Sequence, residues 1–110
     1  MDNVASQDVV AVYLTFPDEA TARGVARALV ERRLAACVNV LPAGTSVYRW
    51  QGEIVTEPEL VAWAKSTAGQ LPALVAAVTE LHPYDVPAVM AYPAAGGLAE
   101  YLGWVVAETS

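Results

Sequence analysis

The run V-V-A-V-Y-L-T-F at residues 9–16 constrains the fold more than any other part of this sequence. It is almost entirely apolar and rich in β-formers, which predicts a central strand that is covered on both faces. Pro17-Asp18-Glu19 follows and predicts the start of a helix, with Asp18 as its N-cap. The apolar stripe of this helix is Ala22, Val25, Ala26, Leu29 and Val30, at the spacing of one helical face.

The middle of the chain predicts a long hairpin. Residues 35–41 are extended, and the proline and glycine at positions 42–44 indicate a bulge or bend before residues 46–50 resume the strand. Gln51-Gly52 is typical of a tight hairpin turn, because glycine accepts a positive φ. Residues 53–65 then form the returning strand.

The last third predicts a second helix, a strand and a third helix. Ser66 or Thr67 can cap the second helix, which ends at His82 because the proline that follows disfavours helical backbone there. Residues 87–92 read as a short buried strand, and Gly96-Gly97 is expected to open the last helix. The order βαββαβ plus a C-terminal helix predicts an α+β fold, a ferredoxin-like sandwich in one domain with an ordered core at residues 9–108.

The composition predicts an oligomer. Of the 110 residues 55% are hydrophobic and 16% are charged, against about 45–50% and about 25% in typical domains. A small domain cannot hide so much apolar surface in one monomer, and subunit interfaces resemble a core cut in half. We therefore expect part of this surface to face other subunits.

The charge and the cysteine count exclude several classes of protein. A formal net charge of −6 argues against binding to nucleic acids and to anionic membranes. No charge-free apolar run approaches the ~20 residues of a membrane span, and residues 1–4 do not begin a secretory signal. The single Cys37 cannot form an intramolecular disulfide. We expect a soluble protein of the reducing cytoplasm.

Cys37 and His82 are the side chains best suited to copper or zinc, but such sites usually need three or four ligands. Carboxylates could complete the set, although no spacing singles one out among Glu53, Glu57, Glu59 and Asp85. Each residue also has a structural interpretation: His82 closes a helix and bonds to backbone, and Cys37 is an inert core residue. An enzyme with Cys37 as nucleophile and His82 as base has the least support, so we predict that the chain is not an enzyme.

Other polar and aromatic residues allow a small organic ligand. Lys65 precedes a short hydroxyl pair where an anion could meet backbone donors, although a solvated lysine beside a capped helix explains the same residues. Tyr48, Trp50 and Trp63 could stack on a ligand, or they could fill contacts between subunits.

Four ordered motifs carry a family resemblance. They are P-D-E-A-T-A-R-G-V-A-R-A-L-V-E in the first helix, R-L-A-A-C-V-N-V-L-P-A-G-T-S-V-Y-R-W-Q-G-E-I at residues 33–54, L-H-P-Y-D-V-P at 81–87 and E-Y-L-G-W at 100–104. Together they make the chain resemble the CutA divalent-cation tolerance family. The resemblance implies a homotrimer with hairpins passing between subunits, and a role in tolerance to divalent metals, chiefly copper.

The resemblance also implies site residues. Cys37 and His82 match the family's strand cysteine and its histidine, while Lys65, Glu53, Tyr84 and Tyr101 match polar positions near an inter-subunit cleft. The metal set is then Cys37, His82 and Glu53, holding copper or another divalent cation weakly. The alternative is a module like the PII proteins, which binds a small effector through Lys65, Tyr48, Tyr84 and Tyr101. The first strand lacks the cysteine of some members, and Ser66 replaces the usual threonine.

Overall fold

The computed structural model describes residues 7–110, so the terminal residues 1–4 considered above lie outside this range. The elements in chain order are β1 (Val9–Phe16), α1 (Glu19–Glu31), β2 (Cys37–Val40), β3 (Gly44–Trp50), β4 (Glu53–Thr67), α2 (Leu71–Leu81), β5 (Val89–Pro93) and α3 (Ala99–Glu108). The strands form an antiparallel sheet in the order β2-β4-β1-β5, and β3 pairs with the first part of β4. The predicted mixed α+β fold, with an antiparallel sheet and three helices, is confirmed.

The core lies between one face of the sheet and the helices α1 and α2. β1 is central as predicted, and Val12, Leu14 and Phe16 point from it into the core with no exposed surface. The predicted N-cap of α1 is also present: the Asp18 carboxylate accepts from the Thr21 backbone N–H at 2.8 Å. Local signals therefore place α1, and burial of its apolar stripe holds it against the sheet.

The predicted hairpin is a two-stranded extension of the sheet. β3 and β4 pair from Gly44 opposite Glu59 to Trp50 opposite Glu53. Gln51 and Gly52 both have positive φ, 50° and 84°, as a two-residue turn between antiparallel strands requires. Most residues of the hairpin are exposed, because no helix among residues 7–110 covers it.

Two predicted helix starts were wrong. Ser66 and Thr67 are the last residues of β4, and α2 begins at Leu71 after Gln70, without a side-chain cap. The fully buried Ser66 hydroxyl donates instead to the Leu34 carbonyl at 2.6 Å, because a buried hydroxyl needs an acceptor. α3 begins at Ala99 rather than at the glycine pair.

The second face of the sheet is partly covered by α3. Its Tyr101 reaches Cys37 on β2, and its Val105 is fully buried although it lies outside the main core cluster. Large apolar side chains elsewhere stay exposed, among them Val47, Ile54, Met90, Tyr92 and Trp104. None of the helices formed by residues 7–110 combines the length and apolar character that crossing a bilayer requires.

Candidate functional site

Cys37 lies in a polar cluster on the second face of the sheet. The register places Cys37 directly opposite Lys65, so both side chains project from the same face. The Lys65 ammonium donates to the Asn39 side-chain carbonyl and lies 3.8 Å from the Cys37 sulfur. The Tyr101 hydroxyl is 3.6 Å from that sulfur, and this hydrogen bond, followed by burial, raises the pKa of Tyr101. The thiol therefore sits between an ammonium and a neutral phenol.

His82 is held by backbone groups on both sides of its ring. It follows the last residue of α2, as predicted, and is only 6% exposed. Nε2 is 2.7 Å from the Thr15 carbonyl, which can only accept, so Nε2 carries the proton and Nδ1 accepts from the Tyr84 N–H at 3.1 Å. The ring also stacks on Phe16 with centroids 5.0 Å apart. A metal ion could bind a ring nitrogen only if one of these two hydrogen bonds opened.

The three predicted metal ligands do not meet within one chain. Glu53 lies twelve residues from Lys65 on β4, which is roughly 40 Å of extended strand at ~3.3 Å per residue, and Lys65 is the residue opposite Cys37. The ring nitrogens of His82 contact Thr15 and Tyr84 rather than either of the other two ligands. Across residues 7–110, no three His, Cys, Asp or Glu side chains are grouped so as to hold an ion.

The suggested pairing of a Cys37 nucleophile with a His82 base has no geometric basis within one chain. The side-chain partners of Cys37 are Lys65 and Tyr101, whereas both nitrogens of His82 are engaged with backbone. General-base activation needs the two groups within hydrogen-bond reach or one water apart.

A larger concave site lies between the β3–β4 hairpin and the loop after α2. This hairpin cleft has a volume of about 690 Å³ and is lined by Tyr13, Thr15, Ser46, Val47, Tyr48, Trp50, Glu59, Tyr84, Asp85, Val86 and Ala88. Of the four predicted effector residues, Tyr48 and Tyr84 line the cleft, while Lys65 and Tyr101 belong to the Cys37 cluster. The effector set predicted from the sequence is thus divided between two places.

Carboxylates hold the tyrosines of the cleft in place. The Tyr48 hydroxyl donates to Glu57, and this hydrogen bond is the main reason that the pKa of Tyr48 rises to about 12. The Tyr84 hydroxyl donates to Oε2 of Glu59 at 3.3 Å, and burial, then the Glu59 charge, raises the pKa of Tyr84. Both phenols stay neutral near pH 7. The sequence did not single out these two carboxylates. The only available signal was that Glu57 and Glu59 are two residues apart, which places both side chains on the same face of β4.

Comparison with known proteins points to one family. A sequence profile described as CutA1 divalent ion tolerance protein matches residues 10–108. The divalent-cation tolerance protein CutA of Thermus thermophilus is 51% identical over 98 residues, covering 89% of this chain and 95% of that protein. Mouse protein CutA is 44% identical over 97 residues, 88% of this chain, which spans only 55% of the mouse protein. A solved structure of the divalent cation tolerance protein (Cut A1) from T. thermophilus matches with a TM-score of 0.91 at 49% identity, covering 93% of this chain and 99% of that one.

Proposed function

The chain belongs to the CutA1 divalent ion tolerance family, and we propose that it acts in divalent-cation tolerance as a cytoplasmic homotrimer that binds divalent metal ions weakly, copper among them. The observation that carries this proposal is the family match over residues 10–108.

The exposed hairpin supports assembly into an oligomer. Ile54 is 61% exposed, and a two-stranded hairpin is at best marginally stable in water unless something covers it. Neighbouring subunits of a trimer would cover this side chain, which lies outside the lining of the hairpin cleft. Size-exclusion chromatography with light scattering should give three times the 11.6 kDa of one chain. A monomer or a dimer would contradict the proposed assembly.

The metal site of the proposal takes its ligands from more than one subunit. Cys37, His82 and Glu53 remain the candidate ligands, and their separation within one chain means that a shared ion must draw on two chains or more. Copper and zinc accept such thiolate, imidazole and carboxylate sets. The Lys65 ammonium beside the Cys37 sulfur opposes additional positive charge, which is the physical reason to expect weak binding.

Calorimetric titration of the metal-free protein with Cu(II) and Zn(II) tests the ligand set. The variants are Cys37→Ser, His82→Gln and Glu53→Gln, and the matched control is Glu31→Gln on the exposed end of α1. We expect each of the three to weaken binding and the control to leave it unchanged. If all isotherms coincide, none of the three residues is a ligand, and if the unmodified protein releases no heat above dilution, direct metal binding is refuted.

The hairpin cleft favours a second candidate function, a small-effector module like the PII proteins. Its volume lies within the range of about 300–1,000 Å³ typical of small-molecule sites, and four of its eleven lining residues are aromatic. A thermal-shift screen of nucleotides and organic acids tests whether an effector binds to a site made of Lys65, Tyr101, Tyr48 and Tyr84. A ligand that binds only the folded state raises the unfolding temperature, and an unchanged unfolding temperature with every compound would count against this effector site.

A further inference from the structure

The hairpin cleft carries negative charge that no basic residue along its lining balances. Glu59 and Asp85 line it, and neither lysine nor arginine does. Four arginines instead pair with glutamates of the helices, in the pairs Arg23–Glu19, Arg27–Glu31, Arg32–Glu80 and Arg33–Glu108. Arg49 is on the hairpin but outside the lining, and Lys65 is occupied at the Cys37 cluster. The cleft therefore favours a positively charged occupant.

Glu59 is the acidic residue of the cleft that most strongly favours a positively charged ligand. Its side chain lines the cleft, yet the residue is only 9% exposed. Within residues 7–110 the Glu59 carboxylate has one hydrogen-bond partner, the Tyr84 hydroxyl on Oε2, and no ion-pair partner. The second carboxylate oxygen is therefore available to a donor bound in the cleft, and a mostly buried carboxylate is more stable when it is paired.

The rings around Glu59 suit an organic cation. Tyr48 and Tyr84 line the cleft, and the raised pKa of each tyrosine keeps its phenol neutral. The faces of such rings attract ammonium ions. The Tyr84 ring is fixed in turn by His82, whose ring centroid is 4.6 Å away and whose Nδ1 accepts the Tyr84 N–H. The site is thus partly built before any ligand enters.

The size of the cleft selects an organic ion over a metal ion. A metal ion needs several ligand atoms within about 2–2.6 Å, and no group of three ligand side chains exists among the described residues. A cleft of about 690 Å³ leaves most of its apolar lining uncovered around a single ion. A carbon skeleton attached to an ammonium group would occupy that space.

We propose that the hairpin cleft binds a small organic ammonium ion, with the charged nitrogen against the Glu59 carboxylate and the carbon skeleton against the rings of Tyr84 and Tyr48. This site gives the second candidate function a ligand class, and it is independent of metal binding. It also reverses the charge of the expected ligand, because the lysine on which an anion site depends lies outside the cleft.

Calorimetry of the full chain in EDTA tests the proposal with two probes of the same shape. 2-Phenylethylammonium carries the charge, and 2-phenylethanol replaces the ammonium with a neutral hydroxyl. We expect the ammonium to bind and the alcohol to bind at least about tenfold more weakly, since losing one partner of a buried charge pair usually has a larger effect than this. Because EDTA removes metal ions, the result does not depend on whether the metal site exists.

Three variants locate the binding. Glu59→Gln keeps the shape and should weaken binding of the ammonium at least about tenfold, while Glu31→Gln removes the same charge from α1 and should change nothing. Tyr48→Ala is a second test that does not threaten the core, because Tyr48 is 37% exposed on the hairpin, and we expect it to weaken both probes. Equal binding of the two probes, no binding of the ammonium, or wild-type affinity in Glu59→Gln would each overturn the proposal.

Discussion

Replacing His82 with phenylalanine separates its structural role from metal ligation. Phenylalanine keeps an aromatic ring against Phe16 and removes both ring nitrogens. The Thr15 carbonyl then loses its donor at a buried position next to the end of the β1–β5 ladder, which stops at Leu14. The Tyr84 N–H loses its acceptor as well.

The expected loss follows from these two bonds. Leaving a buried acceptor unsatisfied costs about 1–3 kcal/mol, and the bond to the half-buried Tyr84 adds about 1 kcal/mol. We therefore expect His82→Phe to lower the free energy of unfolding by about 2–4 kcal/mol. This is a large share of the about 5–15 kcal/mol typical of a domain. His82→Gln, whose amide keeps a donor for Thr15, should lose less.

Urea unfolding at one fixed protein concentration measures this loss, once in EDTA and once with Zn(II) or Cu(II) added. If the lost hydrogen bonds to backbone cause the destabilisation, the whole difference in unfolding free energy between wild type and His82→Phe is present in EDTA. The opposite result refutes the reasoning: equal unfolding free energies in EDTA, with a difference that emerges only after metal is added, would make His82 primarily a ligand.

Three further changes test local features. Gly52→Ala places a side chain at φ 84° in the hairpin turn and should lower the free energy of unfolding by about 1–2 kcal/mol in urea titrations. The Thr21 N–H holds the pKa of Asp18 below its ordinary 3.8. The stabilisation from the Asp18 carboxylate is therefore present above pH 3.8 and is lost as the pH falls through the lowered pKa. The unfolding temperatures of Asp18→Asn and wild type should differ at neutral pH and become equal at a pH below the lowered pKa. Glu57→Gln should return the pKa of Tyr48 from about 12 toward 10, which phenolate absorbance measures, with Tyr48→Phe identifying the signal.

Elements with strong local signals were predicted correctly. β1 follows from an uninterrupted apolar run, α1 from its cap and stripe, and the turn at residues 51–52 from a glycine that accepts positive φ. The resemblance to the CutA family is confirmed by the match over residues 10–108. The error at Ser66 has a physical cause: serine suits both a helix cap and a strand end, and the Leu34 carbonyl that decides between them is far away in sequence.

The candidate sites were less accessible to sequence reasoning. Cys37 and Tyr101 are 64 residues apart and meet only because α3 folds back over the second face of the sheet. The hairpin cleft combines β1, the β3–β4 hairpin and the loop after α2, so no single motif contains it. Glu59 could be named as a carboxylate, but its burial beside Tyr84 could not be foreseen.

The sequence by itself determined the order of strands and helices, the turn of the hairpin and the family, because these depend on signals within a few neighbouring residues or on ordered motifs. Only the tertiary structure decided which side chains meet. It bound both nitrogens of His82 to backbone, placed Lys65 against Cys37, and left Glu59 nearly buried beside neutral rings. The physical reason is that sheet register and helix packing set these distances, and both depend on residues far apart in the chain.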